Sequence, residues 1–296
     1  MNRKANAAVL LTGVLWGIIS IFVKALSEAG LTLMQTVFVR SFFSALVLGV
    51  VLLIRNRSAF RVRLRDLWMF VGTGIISLVI FNRCYMYTMT HGNAAVGAVL
   101  LHTSPVFILL FSAALFHEKI TVRKVTAIVL TFGGCVLVSG ILSGGAAVPL
   151  PVLLYGIGAG FFYSLYTVFS KLALRRYDSA AVTFYTFLFA AFGSLCFAQP
   201  ASLLRSIRTA PTVLLWAIAI AVVCTVIPYY LYTWGLTHME SGKAAVLVAV
   251  EPIVGTLLGI LLYREGCSVP KLIGVFCVLA AILLLNIQKT SERKSV

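Results

Sequence analysis

The sequence predicts an all-α membrane protein: ten transmembrane helices arranged as two inverted five-helix repeats. Three observations predict this fold class. The 296 residues are 61% hydrophobic, with a mean hydropathy of +1.04 and only 11% charged residues, whereas a soluble domain carries about 25%. The apolar segments number ten, and the two halves of the chain match without gaps at an offset of 147 residues.

Each apolar segment is long enough to cross a bilayer, which takes about 20 helical residues. We predict transmembrane helices near 6–26, 32–54, 67–88, 93–115, 124–142, 151–173, 180–198, 211–234, 242–263 and 271–287. Residues 1–142 form the first repeat, residues 151–289 the second, and residues 290–296 a cytoplasmic tail. Because five crossings are an odd number, the second repeat enters the membrane from the opposite side and is inverted.

The evidence for the repeat comes from matched residues of types that are not abundant in membrane segments, so chance identity does not explain them. The matched pairs of this kind are Lys24/Lys171, Tyr85/Tyr232, His91/His238, Pro105/Pro252, Glu118/Glu265 and Lys124/Lys271. Two copies of one membrane unit are typical of a transporter that moves a solute between two gates.

Basic residues decide the predicted orientation. With both termini in the cytoplasm, 17 of the 24 Lys and Arg lie in cytoplasmic segments and four in outer loops, as the positive-inside rule requires. This distribution explains the net charge of +16 without a nucleic-acid partner. The basic loop 55–66 is either a topology anchor or a contact for anionic headgroups. We expect a monomer in the bilayer of a bacterial inner membrane.

The sequence has no catalytic or metal-binding pattern. The six cysteines form no CxxC pair, and both aspartates fall in predicted loops rather than facing each other within lipid. We therefore expect no metal, no cofactor and no enzymatic activity. A channel would need a continuous ring of polar residues, whereas those of this chain are isolated. An intramembrane enzyme and a channel remain the less favoured alternatives.

Charged residues inside the apolar segments mark a candidate substrate site. Arg40, Arg83 and Glu251 lie in predicted helices 2, 3 and 9, where a charge facing lipid would cost about 2.5–3.5 kcal/mol. They should therefore face the interior, either as a structural ion pair or as walls of a cavity. His102, in helix 4, either bonds to a neighbouring backbone or contacts substrate or protons.

Two prolines occupy equivalent positions in helices 4 and 9. Pro105 and Pro252 each remove one backbone hydrogen bond, and breaks at corresponding positions of two halves point to a binding site or hinge. The residues before them, Ser104 and Glu251, are repeat-mates that have diverged, as an asymmetric substrate requires. We predict that both prolines are hinges.

Four aromatic residues complete the predicted site. Trp16 and Tyr163 are repeat-mates in the middle of helices 1 and 6, and Tyr85 and Tyr232 are repeat-mates in helices 3 and 8. Most membrane Trp and Tyr residues anchor helices at the interface. Mid-helix positions instead favour the wall of an apolar cavity or a cation–π contact with an amine.

Several motifs together resemble one known family, the EamA-type transporters of the drug/metabolite transporter superfamily, over about 6–287. The motifs are Leu15-Trp16-Gly17, Phe22-Val23-Lys24, Arg40, Ser104-Pro105-Val106-Phe107 with Glu118, and Glu251-Pro252-Ile253-Val254 with Glu265. The resemblance implies helices 1–4 and 6–9 around a central cavity and helices 5 and 10 at the periphery. It also implies transport of amino acids, other metabolites or drugs, often outward. The family's Gly before the loop glutamate is replaced here by His117 and Arg264.

These features predict a secondary active transporter that exports a small amino acid or amine-like metabolite by alternating access. An importer of a cationic amine is the alternative. Glu251 would exchange a proton or pair with a substrate ammonium, and Arg40 or Arg83 would receive a carboxylate. A purely structural Glu251 that caps freed backbone amides or pairs with an arginine is the simpler alternative.

Overall fold

The structure, a computed structural model, describes residues 3–141, 148–263 and 268–286. Within these ranges all regular secondary structure is helical. The predicted tail 290–296, and with it Arg264 and Glu265 of the second motif, lies outside the described residues.

Ten helices are long and apolar enough to cross a membrane, which confirms the predicted all-α membrane fold with ten transmembrane helices. The inversion of the two repeats stays a prediction. They are α1 (Arg3–Glu28), α2 (Leu33–Arg55), α3 (Leu64–His91), α4 (Ala94–Phe116), α5 (Val122–Ser139), α6 (Leu150–Ala173), α7 (Ser179–Phe197), α8 (Thr212–Leu236), α9 (Ser241–Leu262) and α10 (Val269–Asn286). Predicted and observed ends differ by at most three residues. A short helix, Pro200–Thr209, links α7 to α8.

Polar residues just before the helices determine where several of them begin. Thr32 accepts a hydrogen bond from the Gln35 amide at 3.2 Å, and the Gln35 side chain accepts one from the Thr32 amide at 2.9 Å. This capping box starts α2. Asn93 caps α4 and Asp178 caps α7 in the same way. Each cap supplies acceptors for backbone donors that the helix itself leaves unsatisfied.

Packing partners exchange between the two halves. In the first half, α3 and α4 both pack on α6, the first helix of the second half. Their repeat-mates α8 and α9 both pack on α1, the first helix of the first half. This exchange is the pattern expected of two copies related by a two-fold axis. Helices α5 and α10 pack against each other, so closely that a Cβ on Gly134 would lie 2.8 Å from the carbonyl oxygen of Gly274.

Helices α4 and α9 are both interrupted at equivalent points. The helical segments are Ala94–Leu101 and Ser104–Phe116 in α4, and Ser241–Val248 and Glu251–Tyr263 in α9. Pro105 and Pro252 are the second residues of the later segments, where a proline costs no intrahelical hydrogen bond. Both halves thus contain the break that the prolines predict, and the role of the prolines as hinges stays a prediction.

A glycine of the opposite half packs against each break. A Cβ on Gly13 of α1 would lie 2.5 Å from the carbonyl oxygen of Val248, at the break in α9. Its repeat-mate Gly160 of α6 faces the break in α4, where a Cβ would lie 3.0 Å from the carbonyl oxygen of Leu100. Small residues allow such close backbone contact between membrane helices, so the breaks are supported by protein rather than exposed to lipid.

Gly13→Ala tests this contact. The added methyl group must displace the α9 backbone, and overpacking of this kind costs about 1–3 kcal/mol. We expect the midpoint of thermal unfolding in detergent to fall. The matched control is Gly133→Ala in α5, because a Cβ at Gly133 meets no described atom within 4 Å. That variant should unfold at or slightly above the wild-type temperature. Equal midpoints for both variants would contradict the proposed contact.

Candidate functional site

A cavity of about 240 Å³ lies between α1, α2, α3, α4, α6, α8 and α9. Its aromatic and polar lining residues are Trp16, Ser20, Thr36, Arg40, Phe81, Asn82, Tyr85, Tyr163, Tyr229 and Glu251. From Trp16 and Glu251 the cavity extends to Val23, Leu33 and Met89, close to the end of the bundle where α1 and α3 finish. That end is the one predicted to lie outside the cell.

A narrow cleft of about 20 Å³ adjoins this cavity beside the helix breaks. Its aromatic and polar lining residues, with the predicted hinge Pro105, are His102, Ser104, Pro105, Tyr163, Tyr232 and Glu251. Tyr163 and Glu251 line both spaces. The structure therefore brings the carboxylate of Glu251 to the point where the cavity meets the interrupted backbones of α4 and α9.

Aromatic rings from three helices form one wall. Trp16, Tyr163 and Tyr229 line the cavity, and Tyr232 lines the adjoining cleft. The ring of Trp16 lies 6.2 Å from that of Tyr163, 5.0 Å from Tyr229 and 5.7 Å from Tyr232, measured between centroids. The hydroxyl of Tyr232 is held by Thr167 at 2.8 Å. Such a wall suits an apolar group or an organic cation, which the negative faces of the rings attract.

Arg40 and Glu251 give the cavity one charge of each sign. The Arg40 side chain is almost fully buried, and no described residue accepts a hydrogen bond from its Nε. Glu251 begins the second segment of α9, where the helix dipole favours a negative charge. Within the described ranges neither residue forms a salt bridge. The structural ion pair between buried charges, one of the two alternatives that the sequence allowed, is therefore not formed by Arg40 or Glu251 within these ranges.

Arg83 lies outside the cavity, which corrects the placement predicted from sequence. Its side chain is exposed, and its guanidinium carbon lies 4.8 Å from the ring centroid of Phe197. Because Arg83 and Tyr85 are two residues apart on a helix, they face nearly opposite sides. Tyr85 therefore lines the cavity, whereas Arg83 points away from it and contacts the ring of Phe197 at the end of α7.

Sequence reasoning missed five aromatic and polar residues of the cavity wall: Ser20, Thr36, Phe81, Asn82 and Tyr229. Asn82 lines it and anchors its own amide by donating to the carbonyl of Leu78 at 2.7 Å. Tyr229 contributes a ring to the aromatic wall. The signal for Asn82 was available, since a polar side chain within an apolar helix marks an interior face. No local pattern separates Tyr229 from its lipid-facing neighbour Tyr230, which is 40% exposed.

A cluster of charged residues joins the two halves at the opposite end of the bundle. We call it the Glu118 cluster; its members are Glu118, Lys124, Lys171, Glu240 and Ser241. Glu118 accepts hydrogen bonds from the Lys171 ammonium and, at 2.9 Å, from the Ser241 amide. Lys124 lies 3.8 Å from Glu118 and 2.7 Å from Glu240. The contacts of Glu118 with Lys171 and Ser241, and of Lys124 with Glu240, cross between the halves. They therefore close the bundle at the end away from the cavity.

Local backbone geometry turns Glu118 inward. His117 ends α4 in the left-handed region, at φ 55°, and the Glu118 amide then donates to the Ser112 carbonyl at 3.1 Å. Glycine usually occupies such a position, so His117 adopts the conformation that the Gly of the resembled family provides. Burial alone would raise the pKa of Glu118. Hydrogen bonds and charges from the cluster outweigh it and hold the pKa below the ordinary 4.5.

Comparison with known proteins identifies the family. The sequence profile of the EamA-like transporter family matches residues 3–140 and again residues 150–287. The chain belongs to the EamA-like transporter family. The predicted family is therefore confirmed, and the protein is an integral membrane transporter.

Two relatives of this EamA-like transporter match it over nearly their whole length. It is 28% identical over 286 residues to a protein of Archaeoglobus fulgidus described as an uncharacterized transporter, covering 95% of this chain and 96% of the other. It is 22% identical over 298 residues to the uncharacterized inner membrane transporter YicL of Salmonella typhimurium, covering 99% of both. A solved crystal structure superimposes with a TM-score of 0.77 at 20% identity over 96% of each chain, which shows the same fold.

Glu118→Gln tests the energetic role of the Glu118 cluster. Removing one charge from a buried pair typically costs about 3–5 kcal/mol, because the partner charge is left buried and unpaired. We expect a clearly lower unfolding midpoint at pH 7. A carboxylate with a lowered pKa stabilises the fold above pH 4.5 and loses that effect as the pH falls through its folded pKa. The gap between variant and wild type should therefore close in acid.

The matched control for this variant is Glu28→Gln. Glu28 lies 4.0 Å from Lys24 with both side chains more than half exposed, and exposed pairs contribute about 0–1 kcal/mol. Its unfolding midpoint should stay near that of the wild type. A Glu118 variant as stable as this control at pH 7 would show that the cluster adds nothing to stability.

Proposed function

We propose that the protein is a secondary active transporter that exports a small amine-bearing or zwitterionic metabolite, such as an amino acid, by alternating access. The observation that carries the proposal is Glu251, an unpaired carboxylate among the described residues, facing a cavity with an aromatic wall and Arg40. A substrate ammonium would pair with Glu251 and stack on Trp16, and a substrate carboxylate would pair with Arg40. Export is the direction that the family resemblance favours.

Two features support alternating access as the mechanism. The cavity extends toward one end of the bundle while the Glu118 cluster joins the halves at the other. In the opposite state the ion pairs of the cluster would separate and open a path to the cytoplasm. Pro105 and Pro252 would act as hinges, since the helices are already interrupted there and the glycines against them allow the halves to slide.

The same proposal includes the orientation of the protein, its oligomeric state and its coupling ion. Both termini lie in the cytoplasm of a bacterial cell, the transporter is a monomer, and protons that exchange with Glu251 are the coupling ion. The distribution of basic residues supports the orientation, and a single ionisable carboxylate facing the cavity supports proton exchange.

Glu251→Gln separates the transport role from a structural one, because it keeps the shape and hydrogen bonding of the side chain while removing its charge. We expect the variant, reconstituted in liposomes, to lose about 10–100-fold in uptake of an amine-bearing substrate. That range follows from a lost charged hydrogen bond of about 1.5–3 kcal/mol. The pH dependence of transport should disappear as well. The substrate for the assay comes from a screen for ligands that raise the unfolding temperature.

Glu28→Gln again provides the control, since it removes one exposed carboxylate that does not line the cavity. This variant should transport at the wild-type rate. If Glu251→Gln folds and transports like the control with an unchanged pH profile, Glu251 is structural and the proposed site is wrong.

A further inference from the structure

Five arginines gather at the end of the bundle that carries the Glu118 cluster. Arg61 and Arg63 come from the connection between α2 and α3 and Arg65 from the start of α3, in the first half of the chain. Arg175 and Arg176 follow α6, in the second half. Arg176 forms an ion pair with a carboxylate of the protein. The other four arginines have exposed side chains. The substrate cavity on the other side of the bundle uses none of them.

One buried aspartate holds this surface together. Asp66, with a side chain only 3% exposed, accepts hydrogen bonds from Arg176 and, at 2.7 Å, from the hydroxyl of Tyr177. The other carboxylate nearby, Asp178, caps α7 and accepts from Asn56. Both carboxylates thus form hydrogen bonds within the protein. Because five arginines surround two carboxylates, this surface keeps a net positive charge.

Two depressions flank the Asp66–Arg176 pair. The larger, of about 530 Å³, is polar and includes Arg61 and Arg63. The smaller, of about 380 Å³, is lined by Arg65 and Arg175 together with an apolar wall of Trp68, Met69 and Leu172. The larger depression has Ala59, Ala181 and Tyr177 beside its arginines, so the smaller one is distinguished by an indole ring and long aliphatic side chains next to its cationic groups.

Trp68 is the exposed part of the apolar wall of the smaller depression. Trp68 is 54% exposed and meets the ring of Phe169 edge-on at 6.1 Å between centroids. It lies in the first turns of α3, at the level where Trp typically anchors a helix in the headgroup region. Leu64, one turn earlier, is 85% exposed.

We propose that this smaller depression binds the headgroup of an anionic phospholipid, with the phosphodiester between Arg65 and Arg175 and an acyl chain against Trp68. Guanidinium groups bind phosphate oxygens through paired hydrogen bonds. Basic pockets between transmembrane helices on the cytoplasmic side are suited to anionic headgroups. A free phosphate would gain nothing from the apolar wall, which is why the lipid is the favoured source of the phosphate.

The site also lies close to the closed end of the bundle. Arg175 is one helical turn beyond Lys171, the lysine that binds Glu118, and its guanidinium shares the ring of Phe116 with the Lys171 ammonium at 5.3 and 5.1 Å. Arg65 belongs to one half of the chain and Arg175 to the other. A lipid held by both would therefore bridge the halves beside the Glu118 cluster.

Lipid binding to the purified full chain tests the proposal. The protein in neutral detergent is titrated with phosphatidylglycerol or phosphatidylcholine, and bound lipid is counted by native mass spectrometry. We expect phosphatidylglycerol to bind in preference to phosphatidylcholine. In the double variant Arg65→Gln, Arg175→Gln its affinity should fall roughly thirtyfold, which corresponds to about 2 kcal/mol for two cations. Trp68→Ala should weaken binding as well.

The matched control removes two arginines from the other end of the bundle. Arg205→Gln, Arg208→Gln changes the exposed helix Pro200–Thr209 and should leave phosphatidylglycerol affinity unchanged. Equal affinity for both lipids, or equal losses in the two double variants, would overturn the proposal. Displacement of the lipid by millimolar inorganic phosphate would show a free-anion site instead. If the first double variant fails to fold, lipid selectivity of the wild type and the effect of Trp68→Ala still decide.

Discussion

The rule that a backbone in lipid must satisfy its own hydrogen bonds shapes this whole structure. It makes the protein a bundle of ten helices, and it confines interrupted backbone to places covered by protein or facing a cavity. The breaks in α4 and α9 obey this rule. Each is packed against a glycine of the other half, Gly160 and Gly13 respectively, and each borders the cleft or the cavity that contains Glu251. The site is located where the fold tolerates irregular backbone.

The two ends of the bundle differ although the halves that form them are related. At one end the ion pairs Glu118–Lys171 and Lys124–Glu240 join the halves. Toward the other end the cavity runs between α1, α2 and α3. A protein made of two related halves can exchange these roles by a small relative movement, because the interrupted helices and the glycine contacts lie between the ends. Buried ion pairs are suited to such a contact, since they are specific in geometry yet weak as net stabilisers.

Much of the fold and part of the site could be predicted from the sequence, for identifiable reasons. Helix number and bounds follow from apolar length, and the breaks follow from paired prolines. Trp16, Arg40, Tyr85, Tyr163 and Glu251 reach one cavity, and His102 and Tyr232 reach the adjoining cleft. Arg83 was misplaced because a charge in an apolar segment does not reveal which face it occupies. The Glu118 cluster was missed because its partners come from α5, α6 and the start of α9, although Glu118, Lys124 and Lys171 all have repeat-mates.

Alternating access predicts opposite movements at the two ends, and distances between spin labels measure them directly. One pair of labels, at Lys119 and Thr237, spans the end with the Glu118 cluster, and another, at Thr90 and Ser268, spans the other end; all four positions are exposed. In lipid nanodiscs, a change of pH or addition of substrate should lengthen the first distance while shortening the second. Two distances that stay fixed, or that lengthen together, would contradict the account.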